Sequence, residues 1–214
     1  MSDRCSRLLK SKFAVSIIRW FDTSATPLSA EPIRDKIDWL RCIPFFLVHA
    51  MCLGVIWVGW SWAAVGVAAG LYVVRMFAIT GFYHRYFSHK TFKTSRAGQF
   101  AFAVLGNSAM QRGPLWWAAQ HRHHHQHSDK EDDKHSPHQH GFLWSHMLWV
   151  TSGANFRTNL KSVPDLAGCP ELCFLDRFDF LVPFVLALAM FFGGWGLEVW
   201  APELGTTAWQ MLIW

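Results

Sequence analysis

Three observations predict an all-α integral membrane protein. Hydrophobic residues make up 51% of the 214-residue chain and charged residues only 16%, against about 25% charged in typical soluble domains. Apolar blocks alternate with very polar ones, so the mean hydropathy stays at a modest +0.12. Most of the twelve histidines are gathered between Gln120 and His146. The expected architecture is a transmembrane helical hairpin, a third span and the start of a fourth. Interfacial helices and a cytoplasmic histidine-rich cap complete it.

Residues 1–42 read as a basic cytoplasmic N-terminal arm. Arg4, Arg7, Lys10, Lys12, Arg19, Arg34, Lys36 and Arg41 all precede the first apolar block, and the net charge of +5 matters less than this placement. Leu8, Leu9, Phe13, Ile17, Ile18 and Trp20 are interleaved among them, a pattern that suits a segment lying along a membrane surface. A transit peptide and an ordinary amphipathic arm are the alternatives. Residues 27–32 read as a linker.

Residues 43–80 carry one charge, Arg75. As one helix they would run about 57 Å at 1.5 Å per residue, nearly twice a hydrocarbon core of about 30 Å. Two helices joined by a turn fit better, at about 43–60 and 62–80. Trp57, Trp60 and Trp62 cluster at the turn, as tryptophan does at a membrane interface. Gly54, Gly59, Gly66 and Gly70 are expected to let the two helices approach closely. The basic arm favours the cytoplasm, and the hairpin returns the chain to that side. Residues 97–110 are too short for a span and are broken at Gly106-Asn107-Ser108, so an interfacial or re-entrant helix is expected. Residues 126–140 form a polar loop. Residues 180–200 make a third span, with Glu198 only at its far end. A fourth run at 207–214 stops at Trp214, which reads as truncation; the membrane domain, 43–214, is therefore expected to be incomplete at its C-terminus.

Two histidine boxes carry the chemistry. The first is His84-Arg85-Tyr86-Phe87-Ser88-His89 and the second His121-Arg122-His123-His124-His125. Imidazole binds zinc, copper, iron and nickel strongly. On a helix His121, His124 and His125 share one face. His84 and His89 are five apart, about 140° from a common face, and converge only where a helix end unwinds or bends. A metal centre of several histidines with few or no carboxylates is expected. Cys5, Cys42, Cys52, Cys169 and Cys173 show no CxxC and read as reduced thiols packed as small hydrophobes; metal contact by Cys169 and Cys173 is the alternative.

Together the boxes resemble the HxxxxH and HxxHH motifs of membrane fatty acyl desaturases, with the acyl-CoA Δ9 branch the best match. Thr80-Gly81, Trp117, Asp133-Lys134-His135-Ser136-Pro137, Gly141-Phe142-Leu143-Trp144-Ser145-His146 and Val163-Pro164-Asp165-Leu166 also look like family sequence. The resemblance implies an oxidoreductase with two non-haem iron ions that uses dioxygen and two electrons to put a double bond into a fatty acyl chain. It carries ligand roles to His84, His89, His121, His124 and His125, with no catalytic residue beyond them. Trp117 is expected to line the acyl tunnel, packing being the alternative. His135 and His146 are expected to support the ligands from behind. His123 holds a non-ligand position, His127, His138 and His140 read as loop histidines, and His49 as a satisfied buried histidine. The substrate is expected as acyl-CoA or acyl lipid and the setting as membrane lipid, with no nucleic acid. No haem or flavin motif is present, so electrons are expected from an external protein. A bacterial cytoplasmic membrane is the expected location, the endoplasmic reticulum the alternative. The family's third HxxHH box and its Asn-xxx-His motif are missing, which leads to the expectation that this polypeptide alone is inactive.

Two rival readings stand beside this one. A metal-binding or transport protein could carry a histidine-rich loop, but transporters usually place ionisable residues at mid-span, and His49, Arg75 and Glu198 lie mostly near span ends. A related di-iron hydroxylase would differ only in where the substrate sits.

Overall fold

The computed structural model describes residues 12–25 and 36–214. Arg4, Arg7, Lys10, Arg34, Cys5 and the linker at 27–32 lie outside the described residues. Among those described the chain is helical and has no strand, with one isolated antiparallel bridge between Ile37 and Ser152.

Helix α1, Lys12–Phe21, buries Val15 and Ser16 and is tied down just beyond its end. The Thr23 hydroxyl donates to the carbonyl of Asp176 (3.0 Å) and Arg177 pairs with Asp22 at 2.7 Å. The described part of the basic arm therefore docks onto the segment that leads into the third apolar block.

Helix α2 runs Ile43–Val58, shorter than the roughly 20 residues a hydrocarbon core asks for. It ends at Gly59, whose φ of +68° is costly for any residue with a Cβ. The Ser61 side chain then caps α3, accepting from Ala64 N–H at 3.2 Å. Helix α3, Trp62–Ser88, and helix α7, Leu181–Trp200, are long and apolar enough to cross a membrane. Both turn large apolar side chains outward, among them Val73, Phe77, Phe184 and Phe192. Such stripes are unfavourable against water and natural against lipid. His49 was expected to be buried; it is exposed, and its Nδ1 meets the Phe45 carbonyl of its own helix at 2.7 Å.

The expected glycine contact between the two arms of the hairpin does not form. A Cβ on Gly66 or Gly70 would meet nothing within 4 Å. Instead helix α8, Ala208–Ile213, packs against both arms near the turn. Ile213 lies over Gly54, Gln210 donates to the Val58 carbonyl (3.0 Å) and Trp214 to that of Gly59 (2.8 Å). The close approach in this region is at Gly194 of α7, where a Cβ would lie 2.8 Å from the Ala208 backbone.

The apolar core sits beside the histidines, at the end of α3. Tyr83 and Phe87 of α3 meet Ala103 of helix α4, Arg96–Asn107, and Leu115, Ala118 and Ala119 of helix α5, Pro114–His127. Leu172 and Leu175 of helix α6, Pro170–Arg177, close it from another side. Asp176 of α6 reaches the start of α5, accepting from Trp116 N–H at 2.7 Å and from the Thr158 hydroxyl at 2.6 Å. It thereby satisfies one of the orphan donors at that helix N-terminus. The helix expected at 97–110 exists as α4, and it forms one wall of this core.

Candidate metal centre

The two boxes meet because α3 changes its hydrogen-bond register. From Trp62 to Phe77 it is an α-helix, and from Ala78 to Ser88 a π-helix. The register persists at the helix end, where His89 N–H donates to the His84 carbonyl at 3.1 Å. A repeat bonded from i to i+5 puts residues five apart on one face. This closes most of the offset of about 140° that an α-helix would impose. In α5 the ordinary repeat places His121 and His125 one turn apart.

Four imidazoles result in one cluster. Nε2 of His89 lies 3.1 Å from Nε2 of His84 and 3.1 Å from Nε2 of His121. The His89 and His125 rings are 4.7 Å apart and those of His121 and His125 4.5 Å. One nitrogen from each of the four lies within 4.8 Å of the others. A neutral imidazole nitrogen offers one N–H or one lone pair, so His89 Nε2 can serve only one of its two contacts well. A cation shared by the lone pairs would satisfy all of them. The donor set therefore fits a metal such as iron or zinc.

The electrostatics favour the same state. Burial, then the neighbouring imidazoles of His125, His84 and His89, push His121 down to about 3. Partial desolvation and the nearby His84, His125 and Arg122 lower His89 as well. Both rings are neutral near pH 7, the form that binds metal. Trp117 stacks on His121, with ring centroids 4.7 Å apart and planes at 23°. Its indole N–H donates to Gln111 at 3.3 Å. Gln111 also lines a groove of about 310 Å³, together with Tyr72, Arg75, Met76, Ile79 and Trp214 among others.

His124 stands in a separate group. Its Nδ1 is 3.0 Å from both oxygens of Asp133, and its ring stacks on His135 at 4.3 Å. Asp133 is fully buried and also accepts from the N–H groups of Asp129 (3.0 Å) and His135 (3.3 Å). Burial pushes its carboxyl up, but these hydrogen bonds outweigh that and hold it below the usual carboxylate range. Sequence reading placed no role on Asp133, because an aspartate in a polar loop looks solvated. The usable signal was its position nine residues after His124 in that loop. His146 is exposed, stacks on Phe142 and joins neither group. His123 stacks on His127. Cys169 and Cys173 are free thiols outside both groups, and Cys173 bonds the Ala167 carbonyl.

No family model matches the chain. Curated relatives do. The chain is 36% identical over 170 residues to an sn-2 palmitoyl-lipid 9-desaturase of Nostoc sp. (strain 36), covering 75% of this chain and 58% of that protein. It is 33% identical over 175 residues to an sn-1 stearoyl-lipid 9-desaturase of Anabaena variabilis, covering 80% and 64%. It is 30% identical over 205 residues to an acyl-CoA C20 Delta5-desaturase of Anemone leveillei, covering 88% and 65%. The chain thus spans less than two thirds of the length of these relatives.

Proposed function

The chain belongs to the fatty acid desaturase family, and from that premise we propose that it serves the oxygen-dependent insertion of a double bond into a fatty acyl chain at a histidine-held iron centre. The observation that carries this reading is the convergence of His84, His89, His121 and His125. These four would hold one iron. His124, oriented by Asp133 and backed by His135, offers a donor to a second. Iron supplies the oxidising power that an unactivated methylene C–H requires. In balance, two hydrogens leave adjacent carbons, and with dioxygen, two electrons and two protons they end as two waters.

The chain's own residues bind and orient. The π-helical register holds His84 and His89 together against α5. Trp117 covers His121 and, with the groove that Gln111 lines, forms part of the wall along which the acyl chain lies. Positioning one C–C bond beside the metal sets the regiochemistry. The acyl chain arrives as acyl lipid or acyl-CoA, as the relatives' names suggest, and electrons come from a separate protein. The protein is integral to a membrane, a bacterial cytoplasmic membrane before an endoplasmic reticulum. The histidine boxes lie at its cytoplasmic face, where Arg85, Lys90, Lys93 and Arg96 agree with the positive-inside rule.

The test is anaerobic iron loading of the detergent-solubilised protein, followed by metal analysis and by acyl-chain analysis of membranes given reductant and oxygen. Bound iron that is lost in His84→Ala and His121→Ala is expected, and a new monounsaturated product would show desaturation and overturn the expectation of an inactive polypeptide. Tight zinc at the same histidines with no oxygen-dependent product would favour a metal-binding protein, and a hydroxylated product the related hydroxylase.

A further inference from the structure

We propose that Arg122, fixed by Asp165, is the positioning residue that clamps the first histidine box against the second. The proposal rests on the metal-centre reading above and extends it to a residue that binds no metal.

Arg122 follows His121 in α5, and all five of its N–H donors are used. Nε donates to the Ser88 carbonyl (3.1 Å) and Nη2 to the Phe87 carbonyl (2.6 Å). Nη1 donates to the Ser162 carbonyl (3.3 Å). Nη1 and Nη2 grip the two oxygens of Asp165 at 2.7 and 3.1 Å. Phe87 and Ser88 are the last residues of the π-helical stretch, so their carbonyls belong to the final turn, which has no continuing helix to bond. They stand directly before His89. Lys90, immediately after His89, has a φ of +53° and pairs with the same Asp165 at 3.0 Å. One carboxylate therefore ties both sides of His89 to α5.

Apart from the imidazoles themselves, the first box meets α5 through apolar packing, in which Phe87 shares a core with Leu115 and Ala118. Such packing is non-directional and tolerates a slide along the helix. A planar fork of five bonds does not. Asp165 lies in the turn Pro164–Ala167, between Val163 and Leu166, both buried in the same core, so the anchor is itself fixed. Lysine brings three donors and no fork and cannot reproduce the arrangement.

The experiment titrates Co(II) into the metal-free, detergent-solubilised protein under anaerobic conditions and reads the visible absorption of the bound ion. The parent gives a band that the double variant His84→Ala, His89→Ala abolishes. Arg122→Lys is expected to lower Co(II) affinity on the order of 10- to 100-fold, the range for groups that orient metal ligands, and to alter the band while helicity is kept. Asp165→Asn keeps Arg122 and its carbonyl bonds and is expected to shift affinity the same way by less. Arg96→Lys disturbs a bidentate pair to Glu171 on the surface and is expected to change neither affinity nor band. A folded Arg122→Lys protein with parental affinity and spectrum overturns the clamp; should that variant not fold, a parental Asp165→Asn does so. A parent without a histidine-dependent band overturns the metal-centre reading and the clamp with it.

Discussion

Gly106→Ala probes the contact that sets the π-helical stretch on α4. A Cβ at Gly106 would lie 2.1, 2.3 and 2.8 Å from three carbons of the Tyr83 ring, where ordinary contact begins at 3.4 Å. Ring or helix must therefore give by more than about 1 Å, a displacement that a close-packed interior resists. Tyr83 is fully buried. Its ring meets the Phe87 ring edge-on at 6.0 Å and that of Trp117 at 5.9 Å, and its hydroxyl donates to the Arg112 carbonyl at 3.3 Å. The ring has nowhere to rotate, so the π-helical stretch must shift. Overpacking of this kind costs about 1–3 kcal/mol, and loss of the hydroxyl bond adds about 0.5–1.5 kcal/mol. A total of about 2–4 kcal/mol corresponds to a fall in Tm on the order of 10 °C for a chain of this size. Because Tyr83 directly precedes His84, weaker Co(II) binding should accompany it. Thermal unfolding followed by circular dichroism in detergent, beside the Co(II) titration, is the assay. Gly66→Ala and Gly70→Ala, where the added methyl meets nothing within 4 Å, supply the comparison and should be neutral or gain up to about 1 kcal/mol from helix propensity. A Gly106→Ala protein that unfolds with them and binds Co(II) like the parent would refute the packing argument.

Other outcomes follow from the same geometry. Asp176→Ala strands the buried Trp116 N–H, leaves the half-buried Thr158 hydroxyl without its acceptor and removes the acceptor at the start of α5; a loss of about 2–4 kcal/mol is expected in chemical unfolding, and an unchanged midpoint would contradict it. Asp133→Ala frees the His124 ring and removes the acceptor of the Asp129 and His135 backbone N–H groups. Metal analysis after iron loading should show less iron per chain than in the parent, with binding at the four-histidine group retained, and an unchanged iron content would contradict the proposed role of His124. The pH dependence of the metal-free protein follows from His121, whose folded value of about 3 lies below its ordinary 6.5. Between these values the unfolded chain binds a proton that the folded one does not, so stability is fully present above about 6.5 and falls as pH drops toward 3. His121→Asn should flatten that slope, and an equal slope in parent and variant would rule out His121 as its source.

The primary sequence determined the features that depend on residue type and local spacing. Blocks of apolar side chains marked α3 and α7 as able to cross a membrane, the i, i+4 spacing put His121 and His125 on one face, and the two boxes carried the family. Spacing also posed the problem of His84 and His89 without solving it, since five residues face apart in any α-helix. The tertiary structure decided the rest. Whether the end of α3 bonds at i+4 or i+5 depends on what that end packs against, here Gly106, the α5 core and the fork of Arg122, all distant in sequence. The same holds for Asp133, which resembles a solvated loop residue until the fold encloses it. It holds too for α8, which displaces the helix contact that the glycines of α3 suggested. Local pattern fixes which face a side chain shares with its neighbours; only packing between distant segments fixes the helix register and the dielectric around it, and with them which histidines can share an ion.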